Sequence, residues 1–192
     1  MDFKTLALKT RSVRRFVSER KIPQELVVSL VDTARISPAA SNMQCKKYVV
    51  VTEPEACDKV FSTLKWAGYL TDWDGPEKPE QPVAYVIILN DKTISPSSDT
   101  DTGLVAASIV LNAASQGIGA CMLGAVNRKL LMEILGIDAQ RFAVDLVVAL
   151  GYPAEFPVLE SVVDGDIKYY RDENGKHHVP KRSLEEVLLK TF

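Results

Sequence analysis

The chain has 192 residues, 46% of them hydrophobic and 25% charged, with 23 basic side chains against 25 acidic ones and a formal net charge of −2. This composition fits one globular domain with a sizeable core, or one subunit of an intertwined dimer, and excludes a disordered chain. The charge balance gives no support for a nucleic-acid partner, and neither a signal-peptide pattern in "MDFKTLALKT" nor a bilayer-length apolar run is present, so a cytoplasmic protein with no membrane partner is expected.

Residues 3–10 read as a short helix ending at the basic run "RSVRRF". "KIPQELVVSLVDTARIS" reads as a second helix, with Pro23 in its first turn and Leu26, Leu30, Val31 and Ala34 on one face. "KKYVVV" is a strand. Residues 54–66 read as a helix opened by Pro54, with Val60, Phe61 and Leu64 on one side. A turn-rich segment, "TDWDGPEKPEQP", leads to the strand "VAYVIIL". From Asp101 to Gln116 comes a helix whose many alanines and serines permit close approach, either in the core or at a subunit interface. Gly117 and Gly119 close it before the strand "ACMLGAV". Asn127 is an N-cap for "RKLLMEIL", and Gly136 lies just past its end. "FAVDLVVAL" is the next strand and runs into "GYP".

Residues 153–192 form a C-terminal extension of the single domain 1–192, packing on the core or on a partner subunit. In it "DIKYYR" and "KHHV" pair as a hairpin around "DENG", and Ser183 and Glu186 stand in capping-box spacing ahead of a last helix. Helices alternating with short apolar strands give an α/β or α+β class.

The chain carries no metal-ligand constellation, P-loop or nucleophile motif. Its two histidines, His177 and His178, are adjacent, so on a strand they point to opposite faces. The three cysteines, Cys45, Cys57 and Cys121, form no CxxC and suit a reduced protein; Cys45 reads as a small residue in a tight loop, with a redox role as the alternative. What the sequence does offer is binding groups at the ends of elements. Arg11, Arg14 and Arg15 cluster around Ser12, and guanidinium forks suit phosphate or a planar anionic edge, although a solvated basic turn has the same composition. Asn42 and Gln44 each offer a donor and an acceptor, as reading the edge of a heterocycle requires. Turn capping is the simpler role for Asn42, and less so for Gln44 immediately before a strand. Lys181 and Arg182 form a second basic pair. Together these groups point to a phosphorylated aromatic ligand.

In order along nearly the whole chain, these segments resemble the nitroreductase family of FMN-dependent α+β homodimers. "TRSVRRF" is similar to its Arg-Ser-x-Arg segment, and "SPAASNMQCKKYVVV" to its Pro-Ser-x-x-Asn-x-Gln-Pro-Trp loop and strand. "DTGLVAASIVLNAASQGIGACMLGAVN" resembles its central helix, Gly-rich turn and strand end, and "VVALGYP" and "PKRSLEEVL" its closing strand and basic segment. The resemblance implies a central mixed β-sheet flanked by helices, and an intertwined homodimer with FMN at each of two interfacial sites. It places Arg11, Ser12, Arg14 and Arg15 around the FMN phosphate and the pyrimidine edge, where a cation stabilises charge on the reduced ring. Asn42 and Gln44 would hold the ribityl chain and ring edge, with Ala39, Ala40 and Ser41 giving close backbone approach. Leu123, Gly124 and Ala125 would approach from the other side, Lys181 or Arg182 would complete the phosphate site, and Lys65 would add a polar contact.

The implied activity is electron transfer from NADH or NADPH through FMN to a nitroaromatic, quinone or similar small-molecule acceptor, by a ping-pong mechanism with no catalytic side chain. Flavin fragmentation, dehalogenation, or flavin storage or sensing without turnover are the alternatives. The chain departs from the family at Thr10, where an arginine is common, at Cys45 and Lys46, which replace Pro-Trp, and at Gly124, where some members have an acidic residue. Trp66, Tyr69 and Trp73 would either cover the flavin face and select flat substrates by stacking, or pack in the core or interface.

Overall fold

In the computed structural model, which describes residues 2–192, four strands form a central sheet in the order β1-β2-β4-β3. They are β1 (Lys46–Val51), β2 (Ala84–Asp91), β3 (Gly119–Leu123) and β4 (Phe142–Gly151), with neighbours antiparallel. All its strand pairings are antiparallel, and the parallel contact at its β3 edge is an isolated bridge between Ser12 and Ala120. Every residue of β2 is buried, as expected of a continuous apolar run covered on both faces. The helices α2 (Gln24–Arg35) and α4 (Asp99–Ser115) cover one face through Val27, Leu30, Ala106 and Ile109. The short helices α3 (Pro54–Phe61) and α5 (Arg128–Leu135), with Trp66, cover the other. Before them, α1 (Phe3–Lys9) leads into the arginine segment.

Local signals account for most of these elements. The Asn127 side chain accepts the Leu130 N–H at the start of α5, and Gly136 ends it at φ 62°. α3 is shorter than the expected 54–66 helix. After Phe61 the chain turns, because Leu64 bridges Val126 and the Lys65 N–H donates to the Ala125 carbonyl at 2.9 Å, which extended backbone permits and a helix does not.

The C-terminal residues build a second sheet, in the order β5-β7-β6. The expected hairpin is β6 (Tyr170–Arg171) with β7 (His177–Lys181). An additional strand, β5 (Val158–Ser161), joins it parallel to β7. A full capping box at Ser183 and Glu186 opens α6 (Leu184–Val187).

The arginine segment lies tight against the sheet because Gly119 and Gly151 face each other in register on β3 and β4. A Cβ on Gly119 would come within 3.0 Å of Val13, and one on Gly151 within 2.7 Å of Phe16. Backbone hydrogen bonds from Val13 to Ala120, Val17 to Tyr152 and Phe16 to Glu80 complete the seat.

Candidate functional site: a cationic cavity and a strained loop

Seating the segment this way delivers its side chains to a cavity of about 350 Å³ at the β3 edge. Arg11, Ser12, Arg14 and Lys181 line it together with Met122, Tyr169 and His177. Among the described residues, no ion pair involves Arg11, Arg14 or Lys181. Arg11 donates from Nη2 to the Ala7 carbonyl at 2.6 Å, and its Nε is buried with no acceptor. Burial also lowers its pKa, the direction expected where a cation is desolvated without a counter-charge.

Arg14 is 9% exposed. Its Nη1 lies 3.0 Å from His177 Nε2 and 3.5 Å from the Ser12 carbonyl, and its guanidinium sits 4.5 Å over the Tyr169 ring. The carboxylate that contacts the Arg14 backbone is engaged away from its guanidinium. Glu155 Oε1 accepts the Arg14 backbone N–H at 2.6 Å, and Oε2 pairs with Arg171 at 3.0 Å.

The two histidines face opposite ways, as their positions on β7 require. His177 is 1% exposed and burial pushes its pKa down to about 4, whereas hydrogen bonds to Glu160 and Asp172 raise that of His178. Two of the expected basic residues turn elsewhere. Arg15 Nε lies 3.2 Å from Glu80, an ion pair without hydrogen-bond alignment. Arg182 pairs with Glu186 one helical turn on, at 3.2 Å, which leaves Lys181 as the cation of that pair in the cavity.

Along β3 the cavity face runs through Ala120 and Met122, and alternation carries it to Gly124, which is exposed and would accept a Cβ with only Leu146 in reach, at 4.0 Å. Leu123 points the other way into the core, so only its backbone can face a ligand. Ala125 is exposed and joined to the equally exposed Lys65 through the backbone.

The second group of residues sits on the loop before β1. Ala39 and Gln44 line a separate cavity of about 170 Å³ with Lys46 and Asp101. Ser41, Asn42 and Gln44 all have positive φ, of 50°, 53° and 52°, and three such non-glycine residues within four positions mark a strained backbone. Asp101, buried on α4, anchors the loop. Its Oδ1 accepts the Ala40 N–H at 2.9 Å, and this bond leads the causes that lower its pKa. Cys45 is fully buried 3.9 Å from the same carboxylate. Lys46 pairs with Asp145 at 2.7 Å, the residue that a β-bulge leaves unpaired on β4. The local hydrogen bond expected of Asn42 belongs instead to Gln44, whose amide donates to the Asn42 carbonyl at 3.2 Å. Asn42 and the Gln44 side-chain oxygen stay open.

One chain therefore does not bring the amides and the arginines together: Gln44 lines the loop cavity, Arg11 and Arg14 line the other, the two share no residue, and Asn42 lines neither. Trp66 is buried, and Trp73 packs against the core under Arg171 at 4.2 Å. Tyr69 is half exposed and packs at a tilt against Tyr169, ring centroids 4.9 Å apart, so of the three aromatics it alone touches the Tyr169 wall of the cavity. Sequence reasoning missed His177, Tyr169 and Asp101. Only the alternation along "KHHV" carried a signal, that one of the two histidines faces inward. Among the described residues no cluster of three His, Cys, Asp or Glu side chains could hold a metal, and no helix is long and apolar enough to cross a membrane.

The cavity's chemistry fits a flavin nucleotide. It combines three unneutralised cations for a phosphate, a buried Arg11 Nε lacking an acceptor, an aromatic wall, and a glycine where a ring edge would meet backbone.

The model of the nitroreductase family matches residues 7–152. A protein of Archaeoglobus fulgidus, provisionally named NADH dehydrogenase/NAD(P)H nitroreductase, is 29% identical over 153 residues, covering 76% of this chain and 83% of its own. A Methanothermobacter thermautotrophicus protein with the same provisional name is 27% identical, covering 83% and 82%. Among solved structures, an FMN-dependent nitroreductase of Clostridium difficile R20291 superposes with a TM-score of 0.65 at 19% identity, covering 84% of this chain and 92% of that one.

Proposed function

Because the chain belongs to the nitroreductase family, we propose that it is an FMN-dependent, NAD(P)H-utilising oxidoreductase working as a cytoplasmic homodimer. The observation that carries this reading is the convergence of Arg11, Arg14 and Lys181 on one cavity with no carboxylate paired to any of them. Three cations without a paired carboxylate in one wall, Arg14 buried, Arg11 half-buried and Lys181 exposed, form an anion site. When bound, FMN supplies the redox chemistry, accepting hydride from NADH or NADPH and passing electrons to a nitroaromatic, quinone or similar acceptor in a ping-pong cycle.

The side chains then bind and orient. Arg11, Ser12, Arg14 and Lys181 hold the phosphate and the pyrimidine edge, Gly124 and the backbone of Leu123 and Ala125 admit the ring, and Lys65 adds a polar contact. The Ala39–Gln44 loop presents Asn42 and Gln44, and a second copy of the chain is what would lay this loop over the cavity. Exposed apolar side chains near both parts support such a pairing: Met43 on the loop, Met122 in the cavity, and Leu8 and Phe3 on α1. Arg15 and Arg182, committed to Glu80 and Glu186, have no role at the cofactor unless those pairs open. No side chain serves as an essential acid or base, and protons come from water.

The experiment is anaerobic addition of NADH or NADPH to the protein reconstituted with FMN, followed by its visible absorption. Bleaching of the bound-flavin bands is the expected result. Bound flavin that no nicotinamide bleaches would mean storage or sensing, and failure to bind FMN at all would sink the proposal. Arg14→Ala sharpens it: loss of a charge-assisted contact weakens FMN binding roughly 10- to 100-fold, read by quenching of flavin fluorescence.

A further inference from the structure

His177 has an unusual hydrogen-bond inventory for a buried histidine. Its Nε2 faces Arg14 Nη1 at 3.0 Å, and a guanidinium only donates, so Nε2 is the acceptor and Nδ1 carries the hydrogen. That Nδ1–H is buried with no partner among the described residues. A buried donor without an acceptor costs stability, so the arrangement is not one that packing alone favours. What the imidazole gains is its grip on Arg14.

The guanidinium's other donors, Nε and Nη2, have no acceptor among the described residues and are not sealed off as Arg11 Nε is. They form the fork that suits a bidentate anion or a carbonyl edge. The Tyr169 ring supports both groups, its centroid 4.5 Å from the Arg14 guanidinium carbon and 5.4 Å from the His177 ring centroid.

We propose that His177 is a positioning residue of the cofactor site: its neutral imidazole aims the Arg14 fork into the cavity without neutralising it. The identity of the ligand as FMN rests on the function proposed above; the orientation of Arg14 does not. A carboxylate at this position would orient the guanidinium equally well and cancel its charge. Glu155 meets the Arg14 backbone and Arg171 instead, and makes no ion pair with the Arg14 guanidinium. Every charged group packed around the imidazole bears on its neutrality. Burial is the largest influence, Arg14, Arg171 and His178 also disfavour its cation, and Glu155 alone favours it.

The test has two independent readouts. The first is FMN affinity of the apoprotein, measured by fluorescence quenching, for three substitutions. His177→Gln keeps a neutral acceptor and is expected to bind within about threefold of the parent. His177→Leu keeps volume but loses the acceptor and weakens binding about tenfold, the size of one hydrogen bond to a charged group. His177→Glu orients but neutralises Arg14, and is expected to weaken binding at least as much as the leucine. Equal affinity in the leucine and parent proteins overturns the proposal, as does a glutamine variant no better than leucine.

The second readout needs no flavin and no variant. His177 and His178 are the only histidines, so a long-range ¹H–¹⁵N spectrum of the untagged protein resolves both rings. One ring is expected to stay in the neutral Nδ1–H form from pH 8 to pH 5 while the other titrates. A His177 ring protonated on Nε2, or cationic at pH 7, overturns the proposal even if every variant misfolds. Failure of the parent to bind FMN with the expected ring state present would instead strike the proposed function alone.

Discussion

Around Arg14 the backbone is relaxed and the side chains are confined; around Asn42 the backbone is strained and the side chains are free. No residue from Thr10 to Phe16 has positive φ, and Arg14 is held by His177, Tyr169 and the Ser12 carbonyl. The loop before β1 reverses each term. Ser41, Asn42 and Gln44 occupy the left-handed region, all exposed, while Asp101 holds only the backbone of Ala40. The difference teaches how each part meets a ligand. A cavity at the edge of a chain's own sheet can be built from buried contacts such as those of Arg14 before anything binds. A loop that must reach outward has only its backbone to keep its amides in place, and strain fixed by one buried carboxylate does that.

Acid should attack the first region selectively, and this is the largest effect expected. His177 has a folded pKa of about 4 against an ordinary 6.5, so between those values the unfolded chain takes up a proton that the folded chain refuses. The stabilisation is complete above pH 6.5 and falls as the pH drops towards 4, by on the order of 3 kcal/mol. His178 works with the opposite sign: its raised pKa adds stability that is present below 6.5 and is lost as the pH rises through its folded value. Carboxylates such as Asp101, whose pKa is lowered, matter only below their ordinary value near 3.8. Urea unfolding of the His178→Gln protein at pH 7 and pH 4.5 isolates the first term. Equal stabilities at the two pH values would show that the imidazole is not confined as described.

Packing of the arginine segment comes next. A methyl at Gly151 would meet three Phe16 atoms within 2.9 Å, and Phe16 is fully buried, so the segment must lift or the core must shift. Gly151→Ala is expected to cost about 2 kcal/mol and to weaken flavin binding with it, because Arg14 and Phe16 move together. A variant that melts like the parent would mean that the seat on β3 and β4 is soft, and the contrast with the loop would shrink accordingly.

The sequence carried one of these regions better than the other, for local reasons. Arg11, Ser12, Arg14 and Lys181 announced themselves by charge and by order along the chain, and the sheet brings them to one cavity. Arg182 could have been set aside from sequence, since Glu186 lies four residues on and already formed part of a capping box. His177 and Tyr169 could not be placed, because what holds them is pairing between β7 and its neighbours and contact with Arg14, which for His177 lies 163 positions away. β5 escaped for the same reason: four residues after Pro157 have no pattern of their own until β7 lies beside them. Asp101 stood in the sequence only as the start of a helix, with no sign of burial, yet it is buried and holds the loop through the Ala40 N–H. The amides were legible as residue types. Their strained backbone was not, because Ser and Gln carry no signal for positive φ.

The smallest expected effect probes that strain directly. Ser41 at φ 50° makes no side-chain hydrogen bond among the described residues, so replacing it with glycine changes little except the backbone term. Glycine removes about 1–2 kcal/mol of left-handed strain and gives back roughly 0.5–1 kcal/mol through the freedom it adds to the unfolded chain. Ser41→Gly should therefore stabilise the protein slightly, by about 0.5 kcal/mol, a rise of one or two degrees in Tm. The price is rigidity: hydrogen exchange at Asn42 to Gln44 should quicken, and flavin binding should weaken although no contact has been removed. Higher stability with tighter binding would mean that the loop's conformation is not what presents Asn42 and Gln44. Higher stability with weaker binding would identify strain as the means by which an exposed loop keeps two amides in one place.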